Sequence, residues 1–469
     1  MLRRGVIKHP SDCNPCCAVV KGNISHRYSY FLRVLFGFVK IILYICNKNS
    51  ITVMIYDIEF ENMYSFKEKV VFSMEGTATN VKSQNCFRLS DSDKCLKVGV
   101  IYGANASGKT NLIRGLFWFQ SLLVTNSLSG ENDGVSGYLP FGLTESTISA
   151  PSTIKIRLVH KDGHIYTYLL KVNSYEVIEE SLSKLVDGED IFLFKRIYIS
   201  NAKHQLELCD GISDFVLPQN EIRRNQLGIS FLQTVNVPVV TDIAYELLNI
   251  QLANCYNENM ASQLWYNAKN LLAKNKDYRN KLILFLKHLD TGFKDFRIPN
   301  EKSEFKDLMF LHEMKMNDGS IQPVEFYSLI ESLGTQNLFL LGVKIIEALD
   351  KGYTLFVDEL DASLHTYITE FIIKMFQNER INTKHAQLIL TTHDINLMDE
   401  KSLRLDQIWL MQKKEDGSSE LYSLADFDGI DEDTTIKEWY MAKRFGGLPK
   451  IESIENLFRD EAERTPTTR

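Results

Sequence analysis

The stretch VGVIYGANASGKT at 98–110, followed by NLIRGLFWFQSLL at 111–123, decides the fold. An apolar run leads into the pattern G-x-x-x-x-G-K-T, and a helix-like segment follows. This strand–loop–helix order is the context that a phosphate-binding loop requires. Its two glycines allow a tight turn, so that successive backbone N–H groups and the positive helix end point at a β-phosphate. Lys109 is predicted to bridge the β- and γ-phosphates, and the Thr110 hydroxyl to take a Mg²⁺ position. The predicted phosphate-contacting residues are Gly103, Ala104, Asn105, Ala106, Ser107, Gly108, Lys109 and Thr110.

A second segment, TLFVDELDASLH at 354–365, places two acids after an apolar run. The run at 353–357 predicts a buried parallel strand that delivers these acids at its carboxyl end. Asp358 is predicted to hold Mg²⁺ through its water shell, because this hard cation prefers oxygen ligands and keeps several waters. Glu359 is predicted to be the general base that polarises the water attacking the γ-phosphorus. Paired acids at a strand end also occur in ordinary loops, so this segment alone does not establish a catalytic site.

A third segment, LILTTH at 388–393, predicts another buried strand with His393 at its end. A single histidine is more often a surface or core residue than a catalytic one. Its place after a buried strand, downstream of Asp358 and Glu359, favours a contact with the γ-phosphate. There the imidazole could stabilise developing charge.

The segment ESLGTQ at 331–336 precedes the Asp-Glu strand, and NLFLLGVKIIEALD after it predicts a long amphipathic helix. A serine–glycine turn at a helix start makes another anion site. With these four segments in order, the sequence resembles the ABC-type ATPase fold. The resemblance implies a homodimer in which Ser332, Gly334 and Thr335 contact the γ-phosphate held by the other subunit. Transporter ATPases carry a longer signature with two glycines, so the single glycine here disfavours a transporter role.

Segments nearer the end narrow the resemblance: RLDQIWLMQK at 404–413, LYSLADF at 421–427 and AKRFGGLPKI at 442–451. They are similar to the RloA-like AAA family ATPases, relatives of the OLD-family ATPases found in bacterial anti-phage and restriction-associated loci. The resemblance runs from about Met54 to about Ile454. It implies that ATP is hydrolysed to ADP and phosphate and that a separate nuclease or toxin acts as effector. Asp361 matches the inter-subunit contact loop of the family, and Thr366 replaces its usual proline.

The fold class expected from these features is an α/β ABC-type P-loop ATPase with a mixed central sheet, an antiparallel β subdomain and a helical insertion. Alternating residues in DIEFEN and KVVFSM predict paired strands, and TIKIRLVH and HIYTYLLKV predict a hairpin about the turn at 161–163. Residues 75–97 are interpreted as a loop, and DIAYELLNIQLANCY at 242–256 as helical. The predicted divisions are an N-terminal extension (1–53), an N-terminal lobe (54–212), the helical insertion (213–300), a C-terminal lobe (301–458) and a disordered tail (459–469).

Composition limits the classes of function. The chain has 469 residues, 44% of them hydrophobic, and 53 basic against 60 acidic residues, giving a net charge of −7. With this net charge the chain lacks the overall positive charge typical of nucleic-acid-binding proteins, although the sequence leaves room for a local basic patch. The eight cysteines show no repeating pairs, which indicates a reducing cytoplasm. Cys13, Cys16 and Cys17 lack a second Cys/His pair at zinc-site spacing, which disfavours zinc.

The first 53 residues differ from the rest of the chain. The 28–46 segment is largely apolar and near the length of a membrane span, but Arg33 and Lys40 interrupt it on one helical face. A span, an amphipathic surface helix and an upstream extension before a functional start at Met54 all remain open. A required membrane role is disfavoured, and a cytoplasmic location is expected.

Three functions are consistent with these motifs. The favoured one is an ATPase that dimerises head to tail and uses its nucleotide cycle to control a partner effector. The second is a DNA-repair or chromosome-associated ATPase that binds DNA across the dimer, which the acidic net charge and short insertion disfavour. The third is the energising subunit of a transporter. The acidic stretch from Asp426 to Asp433 is interpreted as a solvated loop and not as a nuclease site.

Overall fold

The computed structural model describes residues 54–449 except 80, 91–92, 126–129, 131–132, 201–202, 210–211, 218–220, 256, 290, 301, 363, 399–401 and 431–433. The predicted N-terminal extension, with its apolar segment and three cysteines, and the predicted tail lie outside the described residues. No helix in the described part is long and apolar enough to cross a membrane.

The described elements group into runs of strands that are separated by helices, and single strands and helices alternate only between residues 333 and 392. The strands are β1 (Met54–Glu61), β2 (Val70–Ser73), β3 (Cys86–Arg88), β4 (Lys94–Leu96), β5 (Val98–Gly103), β6 (Ser152–Val159), β7 (Ile165–Val172), β8 (Val177–Val186), β9 (Glu189–Ser200), β10 (Lys203–Leu208), β11 (Glu221–Ile222), β12 (Gln251–Ala253), β13 (Asp295–Arg297), β14 (Met309–Lys315), β15 (Ile321–Tyr327), β16 (Thr354–Val357), β17 (Gln387–Thr392), β18 (Ile408–Lys413) and β19 (Ser419–Ser423). The α-helices are α1 (Lys109–Thr125), α2 (Glu145–Ile148), α3 (Gly228–Thr234), α4 (Pro238–Leu248), α5 (Glu258–Lys274), α6 (Lys276–His288), α7 (Leu333–Lys351), α8 (Thr366–Gln377) and α9 (Ile436–Met441).

The central sheet has the order β12-β16-β17-β5-β18-β19. Its first five strands are parallel, and β19 adds to β18 in the antiparallel sense. Every residue of β5, β16 and β17 is buried. Their apolar runs are what a sheet covered on both faces requires. Because these strands are parallel, their carboxyl ends meet at one edge, where the predicted site residues follow.

Two apolar cores cover the two faces of this sheet. Leu355 and Val357 pack with α5, α6, α7 and α8 on one face, and Phe356 between them belongs to the core on the other face. That second core also holds α1, α3, α4 and an eight-stranded antiparallel sheet with the order β11-β10-β9-β8-β7-β6-β1-β2. The predicted pairing of β1 with β2 and the predicted β6–β7 hairpin are confirmed. The predicted α/β fold, with a mixed central sheet and an antiparallel β subdomain, is confirmed.

Two local predictions are wrong. Within the predicted loop at 75–97, β3 and β4 form a two-stranded hairpin, because Cys95 and Leu96 bury their side chains completely in the core beneath it. The predicted helix at 242–256 stops at Leu248, and Gln251–Ala253 instead forms a parallel strand beside β16. A three-residue strand is too short to show a period of two, so its pairing partner decides its conformation. The segment predicted as a helical insertion, 213–300, therefore also contains the strands β11, β12 and β13.

Gln387 joins the two large sheets. Its side chain is fully buried, and its Oε1 accepts from the backbone N–H of Ile55 at 2.6 Å and from the Thr354 hydroxyl at 2.9 Å. Its Nε2 donates to the carbonyls of Ile55 and Leu96, each at 3.0 Å. This one amide therefore satisfies backbone groups at the start of β1 and at the end of β4.

Replacing Gln387 by leucine should destabilise the protein by about 3 kcal/mol, because each buried backbone group left without a partner costs roughly 1–3 kcal/mol. The denaturant midpoint, followed by circular dichroism, would measure this change. Gln322→Leu, at an exposed position of β15, is the matched control and should leave the midpoint unchanged. Equal midpoints for the two variants would show that Gln387 does not join the sheets energetically.

Candidate functional site

The phosphate-loop segment lies between the buried strand β5 and helix α1. Ala106 and Gly108 both adopt left-handed backbone conformations, with φ of 61° and 113°. A Cβ on Gly108 would collide with the hydroxyls of Ser65 and Ser419. The Ser419 hydroxyl also donates to the carbonyl of Ser107 at 2.6 Å, which fixes the loop from the side of β19. The backbone at this turn therefore requires glycine, as the motif predicts.

Lys109 is buried at the first position of α1. Its Nζ donates to the carbonyls of Gly103 at 2.7 Å and Ala104 at 3.2 Å, so the side chain folds back over its own loop. Burial lowers the pKa of Lys109 to about 8, against the opposing charges of Glu359, Asp358 and Asp361. The ammonium group thus lies within electrostatic range of the three acids that follow β16. A triphosphate held on this loop would supply the negative charge that this desolvated lysine lacks.

The two acids after β16 are held by neighbouring strands. Asp358 is buried; its Oδ1 accepts from the Thr391 hydroxyl at 2.7 Å and its Oδ2 from the Asn254 amide at 2.8 Å. The Thr391 oxygen in turn accepts from the backbone N–H of Glu359 at 2.8 Å. Glu359 has a left-handed backbone, with φ of 52°, which is strained for a residue with a side chain. Thr391 therefore bonds the side chain of Asp358 and the backbone of Glu359 at once.

Sequence reasoning did not assign roles to Thr391 and Asn254. Thr391 lies inside the quoted strand LILTTH, one residue beyond the Val357–Leu390 pair, so the parallel register places it beside Asp358. Asn254 follows β12, which the sequence analysis interpreted as helix. The position of Asn254 beside Asp358 can be inferred only once β12 is recognised as a strand of the central sheet.

His393 and Asp361 meet where β17 ends. The backbone N–H of His393 donates to Asp361 Oδ2 at 3.1 Å. The other oxygen, Oδ1, is buried and has no hydrogen-bond partner among the described residues. Burial, and then the charge of Lys109, lowers the pKa of the His393 imidazole, which favours its neutral form. The predicted residues Lys109, Asp358, Glu359, Asp361 and His393 are thus brought together at one edge of the sheet.

Two cavities flank the phosphate-loop segment. One, of about 410 Å³, lies between residues 103–105 and the end of β17 at Thr392 and His393. The other, of about 480 Å³, lies between Ala104, Asn105 and Ser107 and the end of β18. Both are walled by Leu448 and Pro449 from near the end of the described chain. Because the backbone N–H of Ala104 donates to the carbonyl of Gly447 at 3.0 Å, this late segment is docked directly on the loop.

The oxygens at this edge suit Mg²⁺. The described residues contain no group of three or more His, Cys, Asp or Glu side chains that could enclose a metal ion. Mg²⁺ needs no such cage, since it keeps several waters and takes one or two protein oxygens together with phosphate oxygens. The Thr110 hydroxyl, the Asp358 carboxylate and the unpartnered oxygen of Asp361 are donors of that kind. The residues present therefore fit Mg²⁺.

The signature turn is built as a helix cap. Ser332 precedes α7, and its Oγ accepts from the backbone N–H of Thr335 at 3.1 Å and lies 3.0 Å from the Thr335 hydroxyl. Ser332 is exposed, and Gly334 and Thr335 are partly exposed. In the described part of the chain, the Ser332 hydroxyl bonds to Thr335 and not to the phosphate-loop segment. Among the described residues, no side-chain hydrogen bond joins Ser332 or Thr335 to the phosphate-loop segment of the same chain.

Solved structures similar to this chain match it at low identity. An SMC head bound to the C-winged helix domain of ScpA has 15% identity and a TM-score of 0.39, covering 79% of this chain and 97% of that one. The SMC head domain from Thermotoga maritima has 12% identity and a TM-score of 0.37, covering 79% and 98%. The recombination mediator protein RecF with ATP has 12% identity and a TM-score of 0.31, covering 73% and 93%.

Comparison with curated protein sequences gave no significant match. A family match covers most of the site-bearing part of the chain. Residues 99–399, which run from β5 to beyond His393, match the family described as "AAA domain, putative AbiEii toxin, Type IV TA system". The chain therefore belongs to this AAA-domain family.

Proposed function

We propose that this chain binds ATP with Mg²⁺ at residues 103–110 and hydrolyses it to ADP and phosphate. The observation that carries the proposal is the convergence of Lys109, Asp358, Glu359 and His393 at the carboxyl ends of β5, β16 and β17. The nearby acids Asp358, Glu359 and Asp361 act to raise the pKa of both Lys109 and His393, against the effect of burial. The backbone N–H of His393 also donates to Asp361. A cation, a metal-binding acid and a base at one edge are the parts that phosphoryl transfer needs.

The proposed roles follow from the contacts. Lys109 binds the β- and γ-phosphates, and the loop's N–H groups hold the β-phosphate at the start of α1. Thr110 and Asp358 hold the metal ion, which when bound neutralises charge on the phosphates. Glu359 accepts the proton of the attacking water, with its position set by the bond from its N–H to Thr391. His393 donates to the γ-phosphate, and its contact with Asp361 keeps it at that edge.

We further propose that two copies associate head to tail, so that Ser332, Gly334 and Thr335 of one protomer complete the site of the other. The exposed start of α7 supports this, because free N–H groups at a helix start attract an anion. Leu329, Ile330 and Leu333 beside the turn are 66%, 67% and 64% exposed. Apolar side chains so exposed around a polar turn are typical of a surface that another protein covers.

The nucleotide cycle is proposed to control a separate effector, a nuclease or toxin, in bacterial anti-phage defence. The family's description, which names a putative AbiEii toxin and a type IV toxin–antitoxin system, supports a connection with a toxin system. The narrower assignment to the RloA-like ATPases, and the relation to the OLD family, rest on the segments at 404–413, 421–427 and 442–451. They stay predictions.

The enzymatic proposal is tested by measuring phosphate release from ATP by the full chain with and without Mg²⁺. Turnover that requires Mg²⁺ and is absent in Lys109→Ala is the expected result. If the purified chain binds ATP but releases no phosphate in either condition, alone or with DNA added, it is a nucleotide-binding protein and not a hydrolase.

Thr391→Val should raise the Mg²⁺ concentration needed for half-maximal turnover by about 10-fold or more, because losing an outer-shell partner typically weakens a metal site 10–100-fold. The change removes the hydroxyl that links Asp358 to the Glu359 amide and keeps the shape of the side chain. Mg²⁺ titrations of the ATPase rate would measure the effect. Thr369→Val is the matched control, since Thr369 is also buried but its hydroxyl has no partner among the described residues. An unchanged titration for Thr391→Val would contradict this role.

A further inference from the structure

The segment FGGLP at 445–449 lies beyond residues 99–399, which match the family, and it is bonded to the phosphate-loop segment. The backbone N–H of Ala104 donates to the carbonyl of Gly447 at 3.0 Å. The last two residues of the segment line the cavities on both sides of this contact. We call residues 445–449 the loop clamp, because they contact the start of the phosphate loop.

The loop clamp is held by side chains of β18, β19 and α9. The Gln412 Oε1, on β18, accepts from the backbone N–H of Gly447 at 2.8 Å. The Tyr422 hydroxyl, on β19, donates to the carbonyl of Phe445 at 2.7 Å and lies 3.1 Å from the same Gln412 oxygen. The Tyr440 hydroxyl, on α9, donates to the carbonyl of Gly447 at 3.1 Å. Both backbone polar groups of Gly447 therefore have partners, which fixes the clamp where it meets the phosphate loop.

Two consecutive glycines allow the clamp to turn sharply against these strands. Gly446 and Gly447 both have φ of 74°, in the left-handed region that residues with a Cβ rarely adopt. A Cβ on Gly446 would collide with the Gln412 Oε1 and would lie 2.7 Å from the Tyr422 hydroxyl oxygen. The clamp therefore requires glycine at position 446, and a substitution there should displace it.

The clamp fixes one peptide unit of the phosphate loop. The carbonyl of Gly103 and the N–H of Ala104 belong to the same planar peptide group, so the orientation of one sets that of the other. On one side of this peptide, the N–H donates to the clamp at Gly447. On the other side, the carbonyl accepts from Lys109 Nζ at 2.7 Å. A continuous series of hydrogen bonds therefore runs from Gln412 through the clamp and this peptide to the Lys109 ammonium group.

We propose that Gln412 is a positioning residue for ATP binding and acts through the loop clamp. It holds Gly447, and Gly447 sets the orientation of the peptide whose carbonyl faces Lys109. This role rests on the proposed ATP site, in which Lys109 binds the β- and γ-phosphates. Without the clamp, that peptide can rotate, and the ammonium group loses its fixed acceptor. A displacement of about 1 Å in a group that orients substrate can cost about 100-fold, so Gln412 is expected to affect the site although Lys109 makes the contact with phosphate.

The test compares the full chain with Gln412→Met, which has a side chain of similar length whose sulfur is only a weak acceptor. Binding of a fluorescent ATP analogue, followed by anisotropy, should weaken about 10-fold or more. Without nucleotide, the Ala104 amide should exchange its hydrogen faster in the variant, because its acceptor is no longer held in place. Gln205→Met is the matched control, since Gln205 is a partly buried glutamine on β10 of the antiparallel sheet, and it should change neither quantity. Circular dichroism would show that each variant is folded.

Gly446→Ala displaces the clamp by a different route and should weaken binding of the ATP analogue to a similar extent. Because both substitutions act on one contact, the double variant Gln412→Met with Gly446→Ala should bind about as well as the weaker single variant. Losses that multiply in the double variant would show two separate effects and would count against the clamp.

The remaining outcomes separate this role from the proposed ATP site itself. Faster exchange at Ala104 with unchanged affinity for the ATP analogue would overturn the positioning role alone. Weaker binding in Gln412→Met with unchanged exchange at Ala104 would overturn it too, since the effect would then reach the site without this peptide. A wild-type chain that binds neither ATP nor its analogue would refute the proposed ATP site, and the positioning role with it.

Discussion

Glu359→Gln is expected to slow ATP turnover by about 10²–10⁴-fold while ATP still binds, because that is the usual contribution of a positioned general base. Glutamine keeps the size of the side chain and removes the group that accepts a proton. The backbone bond from Glu359 to Thr391 does not involve the carboxylate, so the substitution should leave the local geometry intact. Bound ATP should persist and hold the protomers together, because the step that separates them is blocked.

Phosphate release under single-turnover conditions, together with light scattering in ATP and in ADP, would measure both effects. Glu313→Gln is the matched control: Glu313 pairs with Lys294 on the surface, where both side chains are about half exposed and the ion pair is worth little. A Glu359→Gln variant that released phosphate at the wild-type rate would show that another group is the base. Slow release without an ATP-stabilised dimer would keep Glu359 as base and contradict the coupling of nucleotide to assembly.

The sequence was sufficient to predict the elements that carry the motifs. The strands β5, β16 and β17 and helix α7 are largely apolar runs next to polar motif residues, so local pattern and final structure agree. The hairpin β6–β7 was equally clear, because alternation on both sides of a glycine turn has one simple solution. In these places, local preference and tertiary packing favour the same conformation.

Contacts between distant segments could not be predicted in the same way. Thr391 meets Asp358 because of the register between two parallel strands, and no property of either segment alone sets that register. Asn254 depends on β12, whose three residues become a strand only through pairing with β16. The docking of Gly447 on Ala104 joins segments far apart in the chain through one backbone hydrogen bond. Each of these is a tertiary effect without a local sequence signal.

Ser332 has two roles to separate, because it caps α7 and is also proposed to contact the γ-phosphate of a second protomer. Aspartate and asparagine cap helices about as well as serine, so both should preserve the bond from the Thr335 amide. If Ser332 faces a γ-phosphate across the dimer, Ser332→Asp should reduce turnover about 100-fold or more, since like charges brought together cost several kcal/mol. Ser332→Asn, whose side chain has the same shape as aspartate but no charge, should retain most of the activity. Equal, unimpaired rates for the two variants would place the turn away from any phosphate.

Mixing two inactive variants then separates action between protomers from action within one. In an equimolar mixture of Lys109→Ala and Ser332→Asp chains, about half of the dimers contain one of each, and in a symmetric dimer each of these has one site with both parts intact. The mixture should recover about a quarter of wild-type turnover, while each variant alone stays inactive. If Ser332 acted on its own chain's phosphate loop, every site in the mixture would carry one defect and no activity would return. Light scattering on the same mixture would show whether the mixed dimers form, so a lack of recovery with dimers present would count against the shared site and not against subunit exchange.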